Sequence, residues 1–457
     1  MTSALTAIVS MLIVLGIMVL VHEFGHFVVA KLCGVRVEVF SIGFPPRLFG
    51  FRRGDTDYRI SLLPLGGYVK MAGGEPGEPR TGDPAELTSR PRWQRILISF
   101  AGPAANFILA FLLMAGLYMT YNEVDNYLSG PAVTDVVPHD SPAWKAGVRP
   151  GDKIVTFDKV QNPTWERLED RAASDANVTV PLTIQRNVNG QPQLIHTSLY
   201  ISDPSKGSDF DFDALGLLPK KQDGPLGVRE VIDGDPAARA GLKAGDKILA
   251  IDGQDIHSVD ALAAWLQQSG GKPVTLDVER GKRTFNLTAT PIWGDDGSGK
   301  MGYRIGVYPA APPYHVEQLS LPKAVKASMK SNIQYSGLIL NVLRRMLSRP
   351  ANVQEFTGPI GIAKATGEAV SMPGWKPIIG LMAVISLNLG ILNLLPFPIL
   401  DGGTILFLLI ESTLRRDLNQ ELKERMYQVA FVMIVLLFVF IMFNDVAKLN
   451  LLPKMRL

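Results

Sequence analysis

The amino-acid sequence predicts a polytopic α-helical membrane protein with four transmembrane helices, a membrane-associated β element and two tandem α/β domains. Three observations predict this fold class. Four apolar runs are long enough to span a bilayer. A strand-rich stretch follows the first run, and one long sequence pattern occurs twice between the second run and the third.

The composition indicates a chain that is partly membrane-embedded and partly exposed to water. Of its 457 residues, 47% are hydrophobic and 19% are charged, which lies between a soluble enzyme and a many-pass transporter. The net charge of +3 is small for this length and predicts no nucleic-acid partner. Cys33 is the single cysteine, which excludes an internal disulfide and a cysteine-based zinc cluster.

The apolar runs and the repeat divide the chain into segments. These are 1–35 with the first span, 36–95 with the cytoplasmic-side β element and a loop, 96–120 with the second span, 125–220 and 221–312 with the two repeated domains, 315–375 with an amphipathic helix and a linker, 376–412 with the third span, and 427–449 with the fourth. Basic residues are concentrated between the first two spans, and acidic residues follow the second. By the positive-inside rule, 33–95 faces the cytoplasm, whereas 120–375 and both termini face the opposite side.

The first span carries the motif VHEFGHF at Val21–Phe27. Residues i and i+4 of a helix share a face, so His22 and His26 can both reach one zinc ion, and Glu23 lies beside it as a general base. Ionisable residues inside an apolar span mark a functional site by default. The alternative is a helix end whose polar residues emerge into water, but apolar residues resume at Phe27 and continue to Ala30.

The β element follows the first span and is rich in strand formers separated by glycine and proline. Its predicted strands are Val35–Phe40, Tyr58–Leu63 and Tyr68–Met71. Gly66, Gly67 and Tyr68 would leave a strand edge open to an extended substrate peptide. The alternative that remains open is an ordinary cytoplasmic hairpin.

The repeat aligns Asp140–Ile154 with Gly234–Ile248 without a gap. The shared pattern resembles the PDZ domains that are attached to bacterial envelope proteases. A PDZ groove binds peptide C-termini by strand addition, and we expect the carboxylate-binding loops at Gly130–Val133 and Gly224–Val228. The alternative is that both grooves are empty and the pair acts as a bulky cap.

The stretch Leu321–Leu347 mixes lysine and arginine with apolar residues at helical spacing. It predicts an amphipathic helix that either contacts membrane lipid at the surface or is clamped between domains. A turn is expected at Thr357–Ile362, before the third span.

A catalytic zinc needs a third protein ligand. The remaining histidines that could serve, His139, His196, His257 and His315, all fall in the extramembrane region. Asp401 is the better candidate because it is the only acid between Glu368 and Glu411 and follows Pro396 and Pro398, which unwind the helix. The alternative is an N-cap role for Asp401 in a simple loop.

Two asparagines precede Asp401 in the third span. Asn388 and Asn393 are polar residues in an apolar run and are expected to hold substrate backbone or to orient the metal ligands. On the second span, Gly102–Asn106 forms a small-residue face for close helix packing, with Asn106 available for a hydrogen bond.

The motifs HEFGH, GGYVKM, GPAANF and NLLPFPILDGG, with the two PDZ-like repeats, together resemble the site-2 protease family. The likeness covers nearly the whole chain and is greatest to the branch that acts in the envelope-stress response of Gram-negative bacteria. It implies an inner-membrane zinc endopeptidase with His22, His26 and Asp401 as ligands, Glu23 as base and the PDZ pair in the periplasm. The implied substrates are single-pass membrane proteins: a pre-trimmed anti-sigma factor and remnant signal peptides.

Two functions from other classes compete with this interpretation. A metal-dependent transporter or channel could line an ion path with His22, His26 and Asp401, although the spans hold few charges and show no repeat of their own. An adaptor could present peptides through its PDZ-like domains without cleaving them.

Overall fold

The computed structural model describes residues 4–74, 81–174, 178–201, 215–295, 301–348 and 358–448. The chain forms two compact units. The helical unit comprises Met1–Asn122 and Glu317–Leu457, and the repeat unit comprises Glu123–Val316.

The chain begins in the helical unit with a long helix, two paired strands and a second long helix. These are α1 (Ala4–Leu32), β1 (Val37–Arg53), β2 (Thr56–Met71) and α2 (Arg92–Thr120), with a 3-10 turn at Leu87–Ser89. α1 packs against α2 and β2. A Cβ on Gly25 would lie 2.3 Å from the carbonyl oxygen of Ala101, so the glycine lets the two helix backbones approach closely.

β1 and β2 form a bent sheet in which one segment of β1 has a neighbour on each side. Phe40 pairs with Val69 on one side and with Tyr58 on the other. Among the described residues, 67–71 pairs only with the first part of β1 and is therefore an edge of this sheet. The structure joins the three short strands expected from the sequence into two long ones, because bulges bend the strands without ending their pairing.

The repeat unit contains two copies that share one order of elements: a strand, a short helix, two strands, a helix and two strands. The first has β3 (Asn122–Asp125), α3 (Asn126–Ser129), β4 (Thr134–Val136), α4 (Pro142–Lys145), β5 (Lys153–Phe157), β6 (Val160–Gln161), α5 (Trp165–Ser174), β7 (Val178–Val188) and β8 (Gln191–Ile201). The strand β9 (Leu218–Pro219) ends the first copy. The second has β10 (Leu226–Val231), α6 (Pro236–Ala240), β11 (Lys247–Ile251), β12 (Gln254–Asp255), α7 (Val259–Ser269), β13 (Val274–Arg280) and β14 (Arg283–Ala289). The strands β15 (Ile292–Asp295), β16 (Met301–Arg304), β17 (Val307–Pro309) and β18 (Tyr314–Glu317) follow.

Each copy builds a sheet over its own hydrophobic core. The strand order is β6-β5-β7-β8 in the first copy and β14-β13-β11-β10-β17 in the second, where β12 also pairs with β11. Val136 and Leu218 belong by sequence to the first copy but pack into the core of the second. The carboxylate of Asp135 also accepts hydrogen bonds from the Ser258 hydroxyl, at 3.1 Å, and from the His257 ring, at 2.8 Å. The two copies are therefore joined by both apolar and polar contacts.

A cavity of about 610 Å³ in the second copy lies along α7 and the segment Met301–Pro309. From the sequence, the loop that binds the peptide carboxylate was expected at Gly224–Val228. This expectation is wrong for the groove of the second copy, because none of these residues lines the cavity. The chain before β17, not the chain before β10, runs beside α7, and the Gln267 side chain bonds to both the N–H and the carbonyl of Tyr303. The loop expected at Gly130–Val133 of the first copy stays a prediction.

The helical unit resumes after the repeats. Its remaining helices are α8 (Leu321–Ser348), α9 (Pro359–Ser371), α10 (Lys376–Asn393), α11 (Asp401–Leu414) and α12 (Gln420–Lys448). The amphipathic α8 packs on α2, where the Ser328 hydroxyl donates to the carbonyl oxygen of Phe111 at 2.8 Å. The third predicted span is broken after Asn393 and resumes as α11, as the two prolines predict.

The helix α9 replaces the turn expected at Thr357–Ile362, of which Thr357 lies outside the described residues. Gly358 is its N-cap and Pro359 its first helical residue, a position where proline is tolerated because its missing N–H has no helical partner. The Asp445 carboxylate on α12 accepts hydrogen bonds from the backbone N–H groups of Gly358, Ile360 and Gly361. This cap gives acceptors to N–H groups at the start of the helix, which have no partner within it.

Four described helices are long and apolar enough to cross a membrane: Ala4–Leu32, Arg92–Thr120, Lys376–Asn393 and Glu421–Phe443. Each overlaps one span predicted from the sequence.

Candidate metal centre

Helix α1 presents His22 and His26 on the same face, one turn apart. Both residues are 8% exposed, and their rings lie almost perpendicular with centroids 4.8 Å apart. The two Nε2 atoms are separated by 3.2 Å. The i,i+4 spacing therefore aims both nitrogens at one point, as the motif predicts.

Asp401 joins the two histidines from the first residue of α11. Its Oδ2 lies 3.1 Å from Nε2 of His22, and its Oδ1 lies 3.3 Å from Nε2 of His26. One ligand atom from each of the three residues fits within 4.8 Å of the others. Two imidazole nitrogens and one carboxylate oxygen are a ligand set that zinc accepts.

The turn between α10 and α11 positions Asp401. It folds so tightly over the start of α11 that a Cβ on Gly402 would lie 2.2 Å from the carbonyl oxygen of Leu394. A Cβ on Gly403 would lie 2.1 Å from the carbonyl oxygen of Phe397. The two glycines after Asp401 therefore permit the approach of the turn, which explains the sequence Asp-Gly-Gly.

Helix α2 packs directly against both histidine rings. The Ile98 carbonyl oxygen lies 2.7 Å from Nδ1 of His26, and the Asn106 amide lies 3.3 Å from Nδ1 of His22. A Cβ on Gly102 would lie only 2.3 Å from Nε2 of His26 and 2.8 Å from Cε1 of His22. Sequence reasoning gave Gly102 only a packing role and missed Ile98, because a backbone carbonyl leaves no side-chain signal.

Glu23 contacts the edge of the β element. Its Oε2 accepts a hydrogen bond from the backbone N–H of Val69 at 3.1 Å. A Cβ on Gly67 would lie 3.9 Å from Cγ of Glu23, so the edge strand passes directly beside this side chain. The carboxylate predicted to act as base thus borders the sheet edge.

The predicted substrate edge also contains Gly66 and Tyr68, which flank Gly67 in the sequence. Gly66 has φ +139°, a conformation open to glycine, and a Cβ there would lie 2.9 Å from Val19 of α1. The Tyr68 ring stacks on Phe44 with centroids 6.1 Å apart. Their role in binding substrate stays a prediction.

The two asparagines of α10 differ in their relation to the centre. Nδ2 of Asn393 lies 3.5 Å from Nδ1 of His22, so Asn393 belongs to the cluster. Asn388 is half-buried, and no hydrogen bond within the described ranges joins it to His22, His26 or Asp401.

Known proteins resemble this chain over almost its full length. The "Regulator of sigma E protease" of Haemophilus influenzae is 30% identical over 98% of this chain and 100% of its own. The "Regulator of sigma-E protease RseP" of Escherichia coli K12 is 31% identical with the same coverage. Among solved structures, the PDZ domain of an SdrC-like protein from Listeria monocytogenes is 26% identical, covering 19% of this chain and 86% of its own, at a TM-score of only 0.17.

The family comparison covers the part of the chain that contains the centre. The sequence model of Peptidase family M50 matches residues 10–437, which include His22, His26 and Asp401. The chain belongs to peptidase family M50, a family of zinc-dependent peptidases.

Proposed function

We propose that this zinc peptidase hydrolyses peptide bonds within the membrane, with His22, His26 and Asp401 as the metal ligands. The observation that carries the proposal is the convergence of three donor groups, two from α1 and one from the first residue of α11. α1 is a helix of spanning length, and α11 follows α10, which is another. Such a ligand set leaves the fourth position of a tetrahedral zinc centre for water or substrate.

The surroundings of the three ligands fit a zinc ion. Both histidines place their second ring nitrogen against a polar group of α2, as metal-binding imidazoles generally do. Position 102 has no side chain, which keeps the space beside both rings open. Bound zinc would supply Lewis acidity, which polarises a scissile carbonyl and lowers the pKa of a water molecule towards ~7.

Glu23 is proposed as the general base. It follows His22 on α1, and the Val69 N–H donates to one of its carboxylate oxygens. No hydrogen bond from the described residues occupies the other oxygen, which can take a proton. Glu23 accepts the proton that the attacking water loses and returns it to the amine that leaves. One water molecule is consumed for each peptide bond broken.

We place the four apolar helices across the bacterial inner membrane. Large apolar side chains of α12, including Phe431, Leu436 and Phe440, are exposed in the isolated chain, and lipid would cover them. The β element likewise exposes Phe49 and Phe51, in keeping with membrane association. In this orientation residues 33–95 face the cytoplasm, and the repeat unit and both termini face the periplasm.

The proposed substrates are transmembrane segments of single-pass proteins, namely a pre-trimmed anti-sigma factor and remnant signal peptides. The names of the Haemophilus and Escherichia relatives support a role in sigma-E regulation. A transmembrane helix hides its carbonyls in its own hydrogen bonds, so it must unwind before cleavage. The edge at 67–71 offers replacement backbone groups next to Glu23. The proposed substrate contacts are Gly66, Gly67 and Tyr68 at this edge and Asn388 and Asn393 on α10.

The repeat unit is proposed to be a pair of PDZ domains. Its second copy has a groove of about 610 Å³ beside α7, which suits the C-terminus of an extended peptide. The alternative role is a size filter that admits only substrates already trimmed of bulky outer domains. A peptide-binding measurement on the whole protein separates these two roles.

Cleavage of a model single-pass substrate by the purified protein tests the proposed function. We expect cleavage to stop on chelation and to return with zinc, and Glu23→Gln to abolish cleavage while zinc stays bound. Stoichiometric zinc without any cleavage by the unmodified chain would favour an ion path instead. Peptide binding without zinc dependence would favour an adaptor.

A further inference from the structure

Three residues on one face of α2 lie against the two histidines of α1. Ile98, Gly102 and Asn106 are spaced four apart and so lie along one side of the helix. Ile98 is opposite His26, Asn106 is opposite His22, and Gly102 lies beneath both rings. Ile98 and Asn106 therefore contact the Nδ1 side of the two rings, which points away from Asp401, whereas Gly102 lies beside Nε2 of His26.

Ligation through Nε2 fixes the other nitrogen of each histidine. Both Nε2 atoms face Asp401, so a neutral imidazole that binds zinc there carries its proton on Nδ1. Each Nδ1–H then needs an acceptor, because an unpaired buried donor destabilises the site. The Ile98 carbonyl supplies that acceptor for His26 at 2.7 Å.

We propose that Asn106 is the positioning residue that holds His22 in the zinc-binding tautomer, an inference that rests on the proposed metal centre. Rotating the amide by 180° exchanges its oxygen and nitrogen, and zinc binding selects the orientation in which the oxygen accepts from Nδ1–H of His22. Within the described part of the chain, Oδ1 of Asn106 is buried and has no hydrogen-bond partner. The rotation gives that oxygen a donor.

The surroundings of Asn106 hold it in place for this role. The residue is 0% exposed, and the hydroxyl of Ser386 donates to its backbone carbonyl at 2.9 Å. Asn393 also approaches Nδ1 of His22, but at 3.5 Å and from a half-buried position at the end of α10. Asn106 is therefore the closer and better fixed acceptor.

Zinc affinity tests the inference independently of cleavage. The dissociation constant is measured in detergent by competition with a chelator, for the unmodified chain and for Asn106→Leu, Asn106→Asp and Asn393→Leu. We expect Asn106→Leu to weaken zinc binding about 10- to 100-fold, the usual effect of losing such a partner. Asn106→Asp keeps an acceptor and should lose much less affinity than Asn106→Leu.

The outcomes separate the possible failures. Unchanged affinity in Asn106→Leu, or a larger loss in Asn393→Leu, overturns the role of Asn106. Equal losses in Asn106→Leu and Asn106→Asp also overturn it, since they indicate a packing role. Absence of zinc binding by the unmodified chain would overturn the metal centre itself. Thermal unfolding of the zinc-free variants shows that each remains folded.

Discussion

The carboxylate of Glu23 accepts a hydrogen bond from the backbone N–H of Val69 at 3.1 Å, which joins the motif helix α1 to the edge of the β element. This N–H belongs to the edge segment 67–71, whose other side pairs with β1. The proposed base and the proposed docking edge are therefore positioned by one contact. A peptide seated on this edge would lie next to Glu23.

Replacing Val69 by proline removes the donated N–H and should lower kcat by about tenfold or more. A hydrogen bond to a charged group contributes about 1.5–3 kcal/mol, and proline is tolerated at sheet edges. Val69→Ala keeps the N–H and serves as the matched control. Cleavage rates on a single-pass substrate measure the difference, and equal rates for the two variants would show that the contact is unimportant.

Gly102→Ala should weaken zinc binding by at least about tenfold. The added Cβ would lie 2.3 Å from Nε2 of His26, so the ring must leave its place. Gly116→Ala is the control on the same helix, because a Cβ there meets no heavy atom within 4 Å. Chelator competition gives the zinc affinities of the two variants. Unchanged zinc affinity in Gly102→Ala would contradict the described geometry.

Asp445→Ala should destabilise the start of α9 by about 1 kcal/mol, the typical effect of losing an N-terminal cap. Three backbone N–H groups lose their acceptor, whereas Asp445→Asn keeps one side-chain oxygen and should lose less. Hydrogen exchange of residues 358–371 reports the change. Equal protection in all three proteins would rule out the cap.

In acid, the stability of the second repeated domain should depend on the ionisation of Asp246. The Arg280 guanidinium beside Asp246 lowers the pKa of that carboxyl in the folded chain. Because this pKa is lower in the folded chain, the charged carboxylate stabilises the domain at pH values above the unfolded pKa of about 3.9. This contribution is lost as the pH falls through the folded pKa. Asp246→Asn should therefore flatten the loss of stability between about pH 5 and pH 3.

Hydrogen exchange of β11 and β13 in the whole protein, corrected for intrinsic rates, measures that pH dependence. Asp223→Asn, at a fully exposed position, is the control and should follow the unmodified chain. A slope unchanged by Asp246→Asn would assign the acid sensitivity to other groups.

Local patterns were sufficient to predict much of the centre. The i,i+4 spacing predicted the shared face of His22 and His26, and the isolated acid after two prolines predicted Asp401. The zinc peptidase class predicted from these motifs is confirmed by the family. The two repeats also share an ion pair, which Arg186 and Asp152 form in the first copy and Arg280 and Asp246 form in the second.

The rest depends on contacts between residues that are distant in sequence. The need for Gly102 appears only when α2 lies against α1, and the edge at 67–71 depends on bulges that no local pattern specifies. The groove was expected at the wrong loop because the strand beside α7 comes from later in the chain. The helix α9 was missed because its cap, Asp445, is on another helix.

Zinc X-ray absorption on the purified chain and on Asp401→Ala tests the central claim most directly. We predict one zinc per chain bound by two imidazoles and oxygen donors, and loss of that signal in Asp401→Ala. A spectrum dominated by sulfur, or one unchanged by Asp401→Ala, would contradict a centre built from His22, His26 and Asp401.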